Sequence, residues 1–237
     1  MKVAAVIPAR YASSRFPGKP LVEICGKPML QLVYEQTATC KGIDLVLIAT
    51  DDERILSAAQ AFGARAVMTS PACTSGTDRV AEAAKGIQAE AFINIQGDQV
   101  RLDRDALSSM ADELKRGCPM ITIATPAQPE DGEDPHCVKI VVDARGYALY
   151  FSRTPIPYAQ SKGHYTMLKH VGIYGFSRET LFDFASMPPS PLELTESLEQ
   201  LRALENGIPI KVIISHATFF DINTPQDREK FLRQWPQ

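Results

Sequence analysis

Short apolar runs alternate with amphipathic stretches through the first half of the chain. Residues 2–7, 45–50, 65–68, 91–95 and 120–124 are rich in Val, Ile, Ala, Leu and Met. Such runs read as strands buried on both faces, as in a parallel sheet. Between them, apolar positions at helical spacing predict helices over 28–40, 53–62, 77–85 and 104–116. Pro28 suits a first helical turn and Asp51-Asp52 suit a cap. The β/α alternation predicts an α/β fold built on a doubly wound, mostly parallel, Rossmann-like sheet.

The pattern changes near residue 126. Residues 126–135 are acidic and proline-containing, a loop. The runs 138–143 and 147–152 flank Ala144-Arg145-Gly146 and predict a hairpin. A third strand-like run covers 171–176. Together they read as a small antiparallel insertion, about 126–176, that covers a site or forms a dimer interface within one domain of residues 1–237. Helices near 178–186 and 191–206, a strand at 210–214 and a helix from Thr224-Pro225 complete the chain. In the 191–206 helix, Leu194, Leu198 and Leu201 form the expected buried stripe.

Composition narrows the function. The chain has 237 residues, 45% hydrophobic and 22% charged, as in ordinary globular proteins. A net charge of −3 argues against a nucleic-acid partner. The five cysteines are scattered without a C-x-x-C pair, which argues against a zinc or disulfide framework and for a cytoplasmic protein. Neither a signal-peptide core nor an apolar stretch of membrane-spanning length is seen, so no membrane partner is expected.

Candidate chemistry begins where the first strand ends. Pro8 to Leu21 is loop-like and holds three cations, Arg10, Arg15 and Lys19. A cationic loop after a buried strand suits an anion such as a polyphosphate. Pro20 after Gly18-Lys19 rules out a Walker A loop, and no G-x-G-x-x-G is present. Further along, Ser75-Gly76-Thr77-Asp78-Arg79 reads on its own as a helix cap with a surface arginine. Asp98, after Asn94-Ile95-Gln96-Gly97, either caps the next helix or holds a divalent cation. On residue type alone, Arg153 is an edge-strand arginine, His170 a core histidine, and Glu199 and Gln200 part of a solvated helix face.

Ile7-Pro8-Ala9-Arg10-Tyr11-Ala12-Ser13-Ser14-Arg15-Phe16-Pro17-Gly18-Lys19-Pro20-Leu21 resembles the opening signature of the sugar-nucleotide cytidylyltransferases, and within them the 3-deoxy-manno-octulosonate (Kdo) cytidylyltransferase family. The resemblance continues through Ser75–Arg79, Asn94–Asp98, Tyr147–Pro157, His170–Phe176 and Leu198–Arg202. It implies an enzyme that joins CTP to an ulosonic acid with release of pyrophosphate, in lipopolysaccharide biosynthesis, as a homodimer. It assigns nucleotide binding to Pro8, Ala9, Arg10, Arg15, Lys19, Ser75, Gly76, Thr77, Arg79, Gln96 and Asp98, with Lys19, Arg10 and Asp98 catalytic. It places Arg153, His170, Tyr174, Glu199 and Gln200 on the sugar, with Arg153 on its carboxylate. Magnesium falls to Asp98 and to the Asp221-Ile222-Asn223 segment. Three positions depart from the family pattern. Gln99 stands for the usual Glu, Val100-Arg101 replace the usual Pro beyond it, and Asn223 stands where the family has Asp, with Asp221 two residues earlier on the same strand face. Gln99 keeps open an amino-substituted octulosonate as substrate. Asn223 keeps open a non-catalytic nucleotide-binding homologue; a hydride-transfer enzyme is a distant third.

Overall fold

Val3, Ala5, Ile7 and Ala9 point into one apolar layer while Ala4 and Val6 point into another. This two-sided burial is what an uninterrupted apolar run requires of a central strand. The structure, a computed structural model, describes residues 1–12, 16–161 and 165–234. In chain order it forms β1 (Val3–Ala9), a 3-10 turn (Lys19–Leu21), β2 (Glu23–Ile24), β3 (Lys27–Pro28), α1 (Met29–Ala38), β4 (Leu45–Thr50), α2 (Glu53–Ala61), β5 (Arg65–Met68), α3 (Gly76–Ala84), β6 (Ala91–Asn94), β7 (Gln99–Arg101), α4 (Arg104–Lys115) and β8 (Met120–Pro126). The second half forms β9 (Lys139–Val142), β10 (Ala148–Ser152), β11 (Leu168–Ser177), α5 (Arg178–Ser186), α6 (Pro191–Glu196), α7 (Gln200–Glu205), β12 (Ile210–Ile214), β13 (Phe220–Asp221) and α8 (Pro225–Gln234).

Among the described residues the main sheet has nine strands. β1 pairs in parallel with β4 and β6, and β4 with β5. On the far side of β6, β11 runs antiparallel to both β6 and β8, and β8 pairs in parallel with β12. Because two antiparallel pairings restore direction, only β10 and β11 run against the rest, and the sheet is mostly parallel. β11 thus belongs to the centre of the sheet rather than to a separate flap. Its ten residues pair with β9 near their start and β6 near their end. The β9–β10 hairpin turns where the sequence predicts, around Gly146 at φ 79°, with the Asp143 side chain accepting from the Arg145 and Tyr147 amides.

Two local expectations change. The predicted 191–206 helix is two helices, broken at Ser197, which adopts a left-handed conformation at φ 52°. The break folds α6 back on α7, where the Arg202 guanidinium pairs with Glu193 at 2.5 Å. Leu198 and Leu201 are buried, but Leu194 lies outside on α6, 67% exposed, so the stripe does not run through. The second change is the pairing of β13 with β7, with Asp221 opposite Gln99; strands of two and three residues carry no periodicity to announce them.

Candidate active site

The site forms at the end of β1. Lys19 lies on the 3-10 turn, whose cap Gly18 has φ 69° and donates its amide to the Tyr11 carbonyl at 3.0 Å. Beside it, Gly97 lets the 96–98 loop press on β1: a Cβ there would meet the Pro8 carbonyl oxygen at 3.0 Å. That approach holds Asp98 against Lys19, whose ammonium donates to Asp98 Oδ2 at 2.5 Å and to Asn223 Oδ1 at 3.4 Å. The Ile222 amide donates to the Asp98 carbonyl at 3.0 Å, and Asn223 Nδ2 donates to Asp221 Oδ2. Asp98, Asp221 and Asn223 therefore converge, although more than a hundred residues of chain separate Asp98 from the other two. Asp221 keeps solvent contact, yet partial desolvation and the neighbouring Asp98 charge raise its carboxyl pKa.

Two cavities meet here. The smaller, about 340 Å³, is lined by Pro8, Ala9, Arg10, Lys19, Gln96, Gly97, Asp98 and Asn223, with Ala12 and Pro20. The larger, about 830 Å³, also reaches Gln96, Asp98 and Asn223 and continues past Gln99, Thr125, Asp131, His136, Lys169, His170 and Asp221. The first is cationic at its mouth, where Arg10 is exposed. The three shared residues form the partition between them.

The Ser75–Arg79 segment sits beside the smaller cavity. Ser75 caps α3 in a capping box with Asp78, and a Cβ on Gly76 would lie 3.5 Å from Pro8 and 3.6 Å from Gln96. Thr77 points to Glu199, donating to its Oε2 at 2.8 Å, and accepts from Asn94 at 3.3 Å. Arg79, expected on the nucleotide, is fully buried and committed elsewhere: its guanidinium pairs with Asp51 at 2.7 Å and donates to Thr69 at 2.6 Å. It ties α3 to the end of β4 and does not reach either cavity wall. Arg15 lies outside the described residues.

Of the residues expected on the sugar, His170 lines the larger cavity. Its ring packs between Phe151 and Tyr174, at centroid distances of 5.1 and 5.2 Å. Thr122 gives its one hydrogen to the Ile173 carbonyl at 2.7 Å, so its oxygen accepts from His170 Nε2 at 2.9 Å. That fixes the neutral tautomer, with Nδ1 left as an acceptor. Burial pushes the His170 pKa down to about 3. Tyr174 is buried opposite Asn94, and burial with the nearby Glu199 charge raises its pKa well above the usual phenol value.

Glu199 lies with the first turn of α3, and neither it nor Gln200 lines the larger cavity. Burial raises the Glu199 pKa, and among the described residues Asn94 Oδ1, Glu199 Oε1 and Gln200 Nε2 find no hydrogen-bond partner. The break at Ser197 is what turns this segment toward α3. Arg153 also departs from expectation. Its guanidinium donates to the carbonyls of Glu196 at 2.7 Å, Pro135 at 2.9 Å and Ser197 at 3.1 Å, so it braces the broken helix and the 135 loop. The sequence reading missed Lys169, the neighbour of His170, which lines the larger cavity and pairs with Asp131 at 2.8 Å.

Among the described residues no cluster of three or more His, Cys, Asp or Glu side chains is arranged to hold a metal. Two carboxylates and one amide carbonyl do converge, a hard-oxygen set that suits Mg²⁺ when substrate phosphates supply further ligands. No helix among the described residues is long and apolar enough to cross a membrane.

A cationic loop and Asp98 at the C-terminal ends of the central parallel strands β1 and β6, with Asp221 brought beside them on β13, define an α/β protein that handles a phosphorylated nucleotide. The chain belongs to the cytidylyltransferase family, whose model, described as Cytidylyltransferase, matches residues 4–213. It is 44% identical over 232 residues to a 3-deoxy-manno-octulosonate cytidylyltransferase of Anaeromyxobacter sp. (strain Fw109-5), covering 97% of this chain and 95% of that one. It is 46% identical over 246 residues to the enzyme of the same name from Thermodesulfovibrio yellowstonii, covering 97% and 96%. Among solved structures it superposes on CMP:2-keto-3-deoxy-manno-octonic acid synthetase complexed with CTP with TM-score 0.95, 41% identity and coverage of 99% and 98%. A putative glucose-1-phosphate thymidylyltransferase from Bacillus anthracis matches with TM-score 0.70 at 14% identity, a likeness of fold alone.

Proposed function

We propose that the protein transfers CMP from CTP to a Kdo-like 3-deoxy-2-ulosonic acid, releasing pyrophosphate. The observation that carries this reading is the shared partition of the two cavities. A triphosphate beside Arg10 and Lys19 puts its α-phosphorus near Asp98, and a sugar in the larger cavity reaches the same point from the other side. The anomeric 2-hydroxyl oxygen forms the new bond to the α-phosphorus, the bond to the pyrophosphate oxygen breaks, and the hydroxyl proton passes to water. Catalysis is mainly positioning and charge neutralisation. Lys19 and Arg10 hold phosphate oxygens, Ser75, Gly76 and Thr77 border the nucleotide, and His170 Nδ1 accepts from a sugar hydroxyl. Asp98, with Asp221 and the Asn223 carbonyl, would hold Mg²⁺. The ion supplies charge neutralisation and acidifies a bound hydroxyl.

This reading goes with a cytoplasmic homodimer that serves lipopolysaccharide biosynthesis. A second reading, an amino-substituted octulosonate as acceptor, draws on the acidic lining of the larger cavity, where Asp131 and Asp134 suit an ammonium group. The test is CTP- and Mg²⁺-dependent pyrophosphate release across a panel of ulosonic acids with and without amino groups. Turnover on Kdo supports the first reading and turnover on the amino sugar alone the second. CTP binding without turnover on any of them overturns both.

A further inference from the structure

The larger cavity poses a charge problem. Asp98, Asp131, Asp134 and Asp221 line it, yet the substrate proposed above is itself an acid. Arg153, the residue the family resemblance places on that acid's carboxylate, has its guanidinium spent on three backbone carbonyls. Among the described residues, Lys169 is the one lysine or arginine in the cavity lining.

Lys169 does not act alone. In the β11–β9 ladder it stands directly opposite Lys139. Side chains so paired share a face of the sheet with Cβ atoms about 5 Å apart, and like charges there are destabilising. Lys139 is fully buried, and its ammonium donates to the carbonyls of Asp134 at 2.8 Å and Cys137 at 2.7 Å, both on the cavity wall. Among the described residues it forms no ion pair. A buried cation with no partner charge is costly, and an anion in the adjacent cavity offsets that cost. Lys169 meanwhile gives one of its three N–H donors to Asp131.

We propose that Lys169 is the residue that recognises the sugar acid's carboxylate, and that Lys139 is a positioning residue behind it, holding the 134–137 wall and adding its field. This puts the carboxylate at the end of the cavity away from Asp98 and Asp221, and the reacting hydroxyl toward them. Asp131 then competes with the substrate for the Lys169 ammonium. The inference rests on the function proposed above.

The test is steady-state kinetics with CTP and two acceptors, the ulosonic acid and its neutral carboxamide. Lys169→Met should raise KM for the acid roughly tenfold, as loss of a charged hydrogen bond does, with KM for CTP within about twofold of wild type. It should cost nothing further on the carboxamide, and Lys169→Arg should restore most of the loss. Asp131→Asn should lower KM for the acid, the opposite direction, which a merely structural role does not produce. Lys139→Met should raise KM for the acid more than KM for CTP. Equal acid-to-carboxamide ratios in wild type and Lys169→Met, or matching shifts in both substrates' KM, would overturn the assignment. If wild-type protein turns over no ulosonic acid at all, it is the functional reading that falls, and this inference with it.

Discussion

The Lys19 ammonium lies 2.5 Å from Asp98 Oδ2, so the cation expected on the triphosphate and the carboxylate expected on the metal neutralise each other. Without nucleotide, Lys19 occupies the negative field that a divalent ion needs. A triphosphate that draws Lys19 away frees Asp98, which makes nucleotide and metal binding mutually supportive. Lys19→Met should therefore bind Mn²⁺ more tightly than wild type in the absence of nucleotide, by several-fold to about tenfold, the worth of a partly exposed ion pair. Titration followed by the electron paramagnetic resonance of free Mn²⁺ reads this directly. Equal affinities would remove the coupling, while turnover of the variant should be lost in either case.

The transposed acid and amide at 221 and 223 give a second test. If Asp221 supplies the carboxylate that Asn223 lacks, Asp221→Asn should raise the Mg²⁺ concentration for half-maximal turnover on the order of tenfold. Asn223→Asp should lower it. A chain carrying both changes should recover toward wild type, because the charge is restored two residues along. Independent losses that simply add would show that Asp221 is not a ligand.

Arg79 separates an anchor from a nucleotide contact. Its buried guanidinium pairs with Asp51, which keeps some solvent exposure. Arg79→Met should cost about 3 kcal/mol, the lower end for breaking such a pair. At this chain length that is a fall in Tm of roughly 6–12 °C. KM for CTP, measured well below the transition, should stay within about twofold of wild type. A large rise in that KM at unchanged Tm would return Arg79 to the nucleotide.

His170 makes a prediction in pH. Its folded pKa of about 3 lies below the ordinary value of 6.5. Between those values the unfolded chain binds a proton that the folded chain refuses, so stability rises with pH across that window. This contribution is complete above pH 6.5 and is lost as pH falls toward 3. The ring keeps some exposure to the cavity, which tempers the size of the effect. His170→Gln should show a shallower loss of Tm between pH 7 and pH 5 than wild type. The imidazole nitrogen shifts at pH 5 should be those of a neutral ring protonated on Nε2; a charged ring there would contradict the Thr122 hydrogen bond.

What could be read from the chain follows from what local pattern encodes. β1, the cationic loop after it and the Asn94–Asp98 turn were legible because an apolar run, loop residues and a carboxylate at a strand end are adjacent in sequence. Ser75 as a cap was equally local. The position of β11 was not, since strand periodicity says which residues are buried and not which strands are neighbours. The break at Ser197 has no Gly or Pro to announce it and rests on tertiary contacts, Arg202 with Glu193 and Arg153 with the freed carbonyls. Asp221 beside Gln99, and Lys169 opposite Lys139, are consequences of register, and register between distant strands is absent from any single stretch.

The placement of β11 also bears on how the molecule is made. Residues 168–177 wedge between β6 and β8, two strands synthesised long before them. Until they emerge from the ribosome, both of those earlier strands present an unpaired backbone edge, and such edges invite pairing with other chains. Fragments ending near residue 160 should accordingly be sticky and inert, and a chaperone that shields nascent strands should matter most during that interval of translation.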